Sequence, residues 1–299
     1  MFGVIMLLIM RPTESELIKS LKLYAILYTV FYILRLVVPS LFTKSVQYTG
    51  ENDVALGGYE LLSIYFCYAA VCYRQKNNLK NCLMFLWLLV IIVLQQNRSI
   101  MLPTLLISLY VVWSMKSRYA GLIVMLFAVM AGLVFVSTIE TWIELYEQTI
   151  DELGDPKYNR NLALEYFFHK ASPNIICDIF GNGFLSNHTS KLMAIMMDKG
   201  VYNSDMGFIG YWNQFGIFPI IVFFYMIIIS LKNKSYLLYE RFLAFEILLC
   251  SMTIMYFGNM GKISCFMVFY YLFTLSRLPL HLKSRYLNLS FRKSVNERY

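Results

Sequence analysis

Long apolar segments separated by short polar turns constrain this chain more than any other feature. Residues 22–42, 81–96 and 206–231 approach the roughly 20 apolar residues that cross a bilayer as a helix. The 299-residue chain is 59% hydrophobic and 15% charged, whereas a soluble domain carries about 25% charged residues. The pattern therefore predicts an all-α, polytopic integral membrane helix bundle.

The apolar segments divide the chain into about eight full spans, at residues 22–42, 57–73, 81–96, 99–115, 119–137, 206–231, 242–257 and 263–276. Residues 1–10 are apolar but too short to cross, and they lack signal-peptide features. We interpret them as the end of a partial further span whose preceding helices are missing from the sequence, or as a short interfacial anchor. The predicted organisation is N-terminal helices (1–137), a large loop (138–205), C-terminal helices (206–276) and a basic tail (277–299).

The lysines and arginines indicate the orientation of these spans. Most of them fall in alternate turns and in the tail, and such turns face the cytoplasm. The tail is then cytoplasmic and the large loop extracytoplasmic, in a multi-pass protein of the bacterial plasma (inner) membrane. Lys262 is assigned to the outer turn at 258–262. The net charge of +8 is distributed in short clusters, so a nucleic-acid surface is not indicated.

Metal and nucleotide chemistry have little basis in the sequence. The six cysteines are scattered without a Cys-x-x-Cys pair, and three histidines are too few for a multi-ligand zinc site. No Gly-x-x-x-x-Gly-Lys-Ser/Thr run is present, and an external loop has no access to nucleotides. We expect no metal and no cofactor, and a substrate that carries its own leaving group.

Three arginines suit a phosphate or diphosphate ligand, because the guanidinium group binds such oxygens in a bidentate manner. Arg35 lies within a span, where a charge is costly and indicates a functional site, unless it snorkels or pairs with Glu60. Arg98 lies at the outer end of a span, and Arg160 lies early in the large loop. Each of the last two also has an ordinary interpretation, as an interfacial anchor and as a surface charge.

The end of the large loop holds the remaining candidates. Asp205 precedes the sixth span, where it is suited to act as a general base or as a helix cap. His188 is a lone loop histidine, a type more often on the surface than catalytic. Gly181 and Gly183 permit a tight turn or a close approach of the backbone. Glu246 lies in a late span, where it pairs or lies near the interface.

The order of several motifs resembles the bacterial O-antigen polymerase and O-antigen ligase superfamily over residues 74–276. The resemblance rests on Asn97-Arg98-Ser99, Arg160, residues 179–184, residues 204–210 and Phe215-Gly216-Ile217. It implies glycan transfer from an undecaprenyl diphosphate carrier to a sugar hydroxyl, outside the membrane and without metal. The implied catalytic residues are Arg98, Arg160 and Asp205, and the implied substrate-binding residues are Arg35, Gly181, Gly183, His188 and Asn203.

The implied partners are the undecaprenyl-diphosphate-linked glycan as donor and acceptor, the lipid bilayer, and a flippase and a chain-length regulator of the same pathway. Asp205 stands where the ligase branch has histidine, and Pro219 stands where ligases tend to have glycine. Both departures favour the polymerase branch, although the chain has fewer spans than its members. The alternatives are a ligase and a non-catalytic transporter or flippase, for which internal repeats and broken helices are expected.

Overall fold

The computed structural model describes residues 10, 12–38, 59–95, 98–114, 175–182, 207–233, 236–252 and 260–277. Within these ranges the chain forms helices and no strand, which confirms the all-α class for this part of the protein. The helices are α1 (Glu14–Val37), α2 (Tyr59–Gln75), α3 (Leu79–Leu94), α4 (Arg98–Ser114), α5 (Ile175–Phe180), α6 (Gly207–Phe215), α7 (Ile217–Lys232), α8 (Leu238–Ser251) and α9 (Met260–Arg277). The expected fifth span at 119–137 lies outside the described residues.

Helix α1 begins at Glu14, earlier than the apolar run at 22–42 predicts. Thr13 caps it: the Thr13 hydroxyl accepts a hydrogen bond from Glu16 N at 3.3 Å, and the Glu16 carboxylate accepts one from Thr13 N at 2.7 Å. This capping box satisfies two backbone donors that the first turn leaves without partners. The helix therefore extends into a polar segment that hydropathy alone assigns to a loop.

The predicted sixth span, 206–231, is two helices rather than one. Gly216 separates α6 from α7 in the left-handed region, with φ of +79°, and its N–H donates to the Trp212 carbonyl at 2.8 Å. A left-handed glycine after the last helical residue ends a helix. Pro219 then lies in the first turn of α7, where its missing N–H is tolerated. The prediction of a continuous helix was wrong because hydropathy does not report backbone conformation.

The chain divides into two compact units, one of residues 1–115, 227–249 and 260–299, the other of residues 116–226 and 250–259. In the first unit α2 is the central helix, in contact with α1, α3, α4 and α9. Small side chains, among them Cys67, Ala69 and Ala70, are fully buried on α2 and allow close approach of neighbours. Phe85 of α3 stacks on Phe66 and on Tyr73 of α2, with ring centroids 5.4 and 5.5 Å away.

In its second half, from Leu23 onward, the exposed face of α1 is more apolar than its buried face. Its buried side chains include Tyr28, Tyr32 and Arg35, and its exposed ones are large and aliphatic or aromatic, among them Leu23, Leu27, Val30, Phe31 and Leu34. A soluble helix shows the opposite arrangement. Glu14–Arg35 is also the one described stretch long and apolar enough to cross a bilayer, and three shorter apolar helices are Leu79–Leu94, Ile100–Ser114 and Ile217–Lys232.

The helices of the first unit alternate in direction. The hydroxyls of Tyr239 and Tyr271 donate to Glu14 Oε1 at 3.1 Å and to the Pro12 carbonyl at 2.7 Å. The start of α1 therefore meets the start of α8 and the end of α9. At the opposite end, the Tyr32 hydroxyl donates to the Leu94 carbonyl at 2.9 Å and joins α1 to the end of α3. We call the two ends the α1-start end and the α1-finish end.

Removal of one of these hydroxyls tests the α1-start end. Tyr239→Phe deletes the hydrogen bond to Glu14, and both side chains are buried. We expect a loss of about 1–3 kcal/mol in the free energy of unfolding, measured by unfolding in detergent. Tyr270→Phe is the matched control, because its hydroxyl makes no hydrogen bond with any described residue. Equal stability of the two variants contradicts the assignment.

Candidate functional site

Two glycines from distant parts of the sequence pack directly against each other in the second unit. Gly181 follows α5 with φ of +82°, and Gly216 follows α6 with φ of +79°. A Cβ atom on Gly181 would lie 2.6 Å from Gly216 N, and one on Gly216 would lie 2.7 Å from Gly181 N and in contact with the Ile179 carbonyl. Such approaches exclude any side chain, so glycine is required at both positions.

Hydrogen bonds surround this contact, which we call the glycine clasp (residues 178–182 with residues 212–216). The Trp212 indole Nε1 donates to the Asp178 carbonyl at 2.8 Å. The Asn213 carbonyl accepts from Asn182 N at 2.8 Å and from Asn182 Nδ2 at 3.2 Å. The clasp therefore joins two of the motifs on which the family resemblance rests. Gly181 has a packing role here, and its role in substrate binding stays a prediction.

Two polar side chains are buried beside the clasp, within an otherwise apolar stretch of sequence. Asn213 and Gln214 are buried, and Asn213 Nδ2 donates to no acceptor among the described residues. A buried amide donor without an acceptor is costly. The other end of α6 is also closely packed, because a Cβ on Gly207 would lie 2.6 Å from the carbonyl oxygens of Ser251 and Met252. Helix α6 is thus held at both ends by backbone contacts.

Substitution of Gly216 tests the clasp. We expect Gly216→Ala to lower the free energy of unfolding by about 1–3 kcal/mol, because the new methyl group overpacks the contact with Ile179 and Gly181. Gly216→Asn is the informative companion, since asparagine tolerates positive φ but also carries a Cβ. Contact predicts that both variants are destabilised in thermal unfolding. If Gly216→Asn is as stable as the wild type, the close packing is contradicted. Glycine is then required at this position only for its positive φ.

Charged side chains form a buried cluster in the first unit. Glu60 of α2, Glu246 of α8 and Lys262 of α9 are respectively 4%, 0% and 0% exposed. Lys262 interacts electrostatically with both carboxylates. Cys67 Sγ donates to Glu246 Oε2 at 3.5 Å, and Ser63 lies beside the same carboxylate. The expectation that Lys262 belongs to an outer turn was wrong, because α9 begins at Met260 and carries it into the bundle.

The cluster, defined as Glu60, Ser63, Cys67, Glu246 and Lys262, has unused acceptor capacity. Glu60 Oε2 and Glu246 Oε1 are buried and accept no hydrogen bond from the part of the chain that the structure describes. When both carboxylates are ionised, two negative charges face one ammonium. Such an arrangement can accept a hydrogen bond from a hydroxyl group, a proton or a cation.

Arg35 and Arg98 belong to the same end of the first unit. Arg35 is buried in the last turn of α1, beside Tyr32, whose hydroxyl bonds the Leu94 carbonyl. Arg98 begins α4 after the short connection that follows Leu94. The charged cluster lies towards this same α1-finish end, because α2 and α9 begin there. Glu60 interacts with Lys262, a cation that the sequence analysis did not pair with this carboxylate.

The other predicted site residues lie outside the described residues. They are Arg160, Gly183, His188, Asn203 and Asp205. Their roles stay predictions. Along the chain, Asp205 is two positions before Gly207, where α6 begins and packs on the end of α8.

Sequence reasoning missed several residues that the structure brings together. A signal for the cluster existed, since Glu60, Ser63 and Cys67 share one face of α2 at helical spacing. Lys262 was missed because the predicted span began at residue 263, whereas α9 begins at Met260. The unmatched Asn213 amide had no sequence signal, because asparagine near a helix end is an ordinary capping residue.

Among the described residues, no group of three or more His, Cys, Asp and Glu side chains is arranged to hold a metal ion. Comparison of the chain with protein families, with curated proteins and with solved structures finds no match. What the candidate site can do is therefore inferred from the residues of this chain alone.

A double-mutant cycle tests whether the cluster is electrostatically coupled. Lys262→Met leaves two buried carboxylates without their cation, and we expect a cost of about 3–5 kcal/mol. Adding Glu246→Gln removes one of those charges, so the double variant is expected to lose less than the sum of the singles, by about 0.5–3 kcal/mol.

Glu16→Gln is the control partner in this cycle, because Glu16 lies at the α1-start end. The combination of Glu16→Gln with Lys262→Met is expected to be additive in unfolding measurements. An additive Glu246 cycle contradicts the coupling.

Proposed function

We propose that this chain is a plasma-membrane glycosyltransferase that polymerises undecaprenyl-diphosphate-linked oligosaccharide repeat units into surface polysaccharide. In this proposal Arg98 and Arg160, with Arg35, bind the diphosphate of the donor and stabilise the charge that develops on it as it leaves. Asp205 accepts the proton of the acceptor sugar hydroxyl. The bond that breaks joins the anomeric carbon to the diphosphate, and the bond that forms joins that carbon to the acceptor oxygen.

The observation that carries this proposal is the glycine clasp. Residues 179–182 are in direct contact with residues 213–216, and Gly181 and Gly216 of this contact belong to two motifs of the resemblance. The clasp fixes one end of α6, and Asp205 precedes the other end. This geometry supports a built site at the end of the large loop, to which the buried Asn213 amide adds a hydrogen-bond donor suited to a sugar or phosphate oxygen.

The bilayer setting has separate support from surface composition. Large apolar side chains are exposed along α1, and on α7 Phe218, Ile221 and Val222 are each 56% exposed. Extensive apolar surface of this kind indicates contact with lipid. The alternation of helix directions in the first unit agrees with the multi-pass topology that the lysines and arginines indicate.

A lipid-linked glycan transporter is the second candidate. Two observations favour it: the helix break at Gly216 and the buried cluster of Glu60, Glu246 and Lys262. Broken helices and buried ionisable groups are both frequent in secondary transporters. The sequence shows no internal repeat, and the cluster lies towards one end of the bundle, so we prefer the enzyme.

Arginine substitutions test the enzymatic proposal. We expect Arg98→Ala and Arg160→Ala to abolish long polysaccharide chains, because the developing charge on the diphosphate loses a bidentate partner. Chain length is measured by gel electrophoresis of surface glycan in a deletion strain carrying each variant at equal membrane level. Arg118→Ala is the matched control, since its turn is predicted to face the cytoplasm. Full-length polysaccharide from both variants contradicts the proposal.

The glycan on the carrier in the deletion strain separates the three functions. A polymerase defect leaves single repeat units on the outer face. A ligase defect leaves long unattached chains, and a flippase defect leaves single units on the cytoplasmic face. Periodate oxidation from outside intact cells distinguishes the two faces.

A further inference from the structure

A cavity of about 510 Å³ opens at the α1-start end of the first unit, between the end of α7, the start of α8 and the end of α9. Its lining combines apolar surface with two cationic and three uncharged polar residues, and comprises Ile229, Lys232, Asn233, Tyr236, Ser276 and Arg277. Ligand cavities commonly measure about 300–1,000 Å³. The volume therefore suits a small polar ligand or the headgroup of a lipid.

The two cations of this basic cavity differ in how they are held. Arg277 Nε donates to the Tyr236 hydroxyl at 3.0 Å, and the guanidinium carbon lies 4.5 Å from the centroid of the Phe273 ring. These contacts fix the plane of the guanidinium. Lys232 is exposed and makes no ion pair with any residue in the described part of the chain. The cavity thus combines the oriented guanidinium group of Arg277 with the exposed ammonium group of Lys232. Both groups bind phosphate oxygens well.

One of the neighbouring groups that disfavour an anion is compensated by a cation. Helices α7 and α9 both end here, and the carbonyl groups at a helix end repel negative charge. Arg241 Nε donates to the Leu231 carbonyl at 3.1 Å, so one of the last carbonyls of α7 is capped by a cation. The Glu240 carboxylate contacts the lining of the cavity. It is fully buried and accepts a hydrogen bond from the Ser276 hydroxyl at 2.7 Å.

We propose that the basic cavity binds an anionic phosphate group, at a site separate from the glycosyl-transfer site and independent of the proposed function. Lys232 and Arg277 supply charge, and Asn233 and Tyr236 supply further polar contacts, whereas the Ser276 hydroxyl is engaged by Glu240. Two sources share this chemistry: the headgroup of an anionic phospholipid and free phosphate.

Lipid discs of defined composition test this site on the purified full chain. The midpoint of thermal unfolding is measured in phosphatidylcholine discs and in discs of which a quarter of the lipid is phosphatidylglycerol. A third arm adds inorganic phosphate to phosphatidylcholine discs, against sodium chloride at equal ionic strength. We expect the wild type to be stabilised by the anionic lipid, by inorganic phosphate, or by both.

Variants assign the effect to the cavity. Lys232→Ala and Arg277→Gln are expected to lose more than half of the stabilisation, whereas Lys80→Ala is expected to keep it. Lys80 is an exposed lysine in the first turn of α3 that does not line the cavity. Lys232 is exposed and unpaired among the described residues, so Lys232→Ala is expected to fold even if Arg277→Gln does not.

Each outcome decides the proposal. A response to phosphatidylglycerol alone that Lys232→Ala loses identifies the lipid headgroup as the source. A response to inorganic phosphate that Lys232→Ala loses identifies free phosphate. Absence of any response in the wild type overturns the site. An equal response of Lys232→Ala and Lys80→Ala also overturns it, because general surface charge then accounts for the effect.

Discussion

Burial of the Lys262 ammonium inside an apolar bundle is the constraint on which the packing of the first unit depends. A buried ammonium without a counter-charge costs several kcal/mol. Glu60 on α2 and Glu246 on α8 both interact with it. A shift of α9 by one turn removes these partners, so the charges set the register of three helices. One oxygen of each carboxylate accepts no hydrogen bond from the described residues. These unused acceptors make the cluster a candidate functional site.

The second unit is organised by a steric constraint instead of an electrostatic one. Gly181 and Gly216 have no Cβ atoms, and this absence lets two backbone segments touch. The contact turns a predicted single span into a short helix, a break and a longer helix. It also ties the residues before the break to the end of the large loop. The described part of the large loop, residues 175–182, thereby has a fixed attachment, and a site needs such an attachment in order to orient its groups.

The two ends of the first unit carry different polar and charged residues. Arg35 and Arg98 of the proposed transfer site lie at one end, and the basic cavity lies at the other. The α1-finish end carries Arg35, the start of α4 at Arg98 and the carboxylate cluster. The α1-start end carries the basic cavity and the capping box of Thr13. Under the predicted topology the first end faces outward, on the side where we propose that lipid-linked glycan is transferred. The second end then faces the cytoplasmic leaflet, where anionic phospholipid is expected to be available.

Much of the fold was predictable, and much of the site was not. Apolar runs predicted α2, α3 and α4 to within a few residues, because hydropathy and helix length act locally. The start of α1 was missed although Thr13 and Glu16 form a recognisable capping box. The break at Gly216 was missed because a glycine inside an apolar run is compatible with a continuous helix. Arg35 and Arg98 were expected to converge, and their backbones do belong to the same end of the bundle.

The sequence by itself determined the helical class, the positions of most helices and the presence of charges in apolar segments. Each of these follows from composition and local periodicity. Only the tertiary structure decided that Lys262 meets Glu60 and Glu246. It alone decided that Gly181 packs on Gly216. The physical reason is that such pairs are separated by many residues, and their partners are chosen by packing between helices.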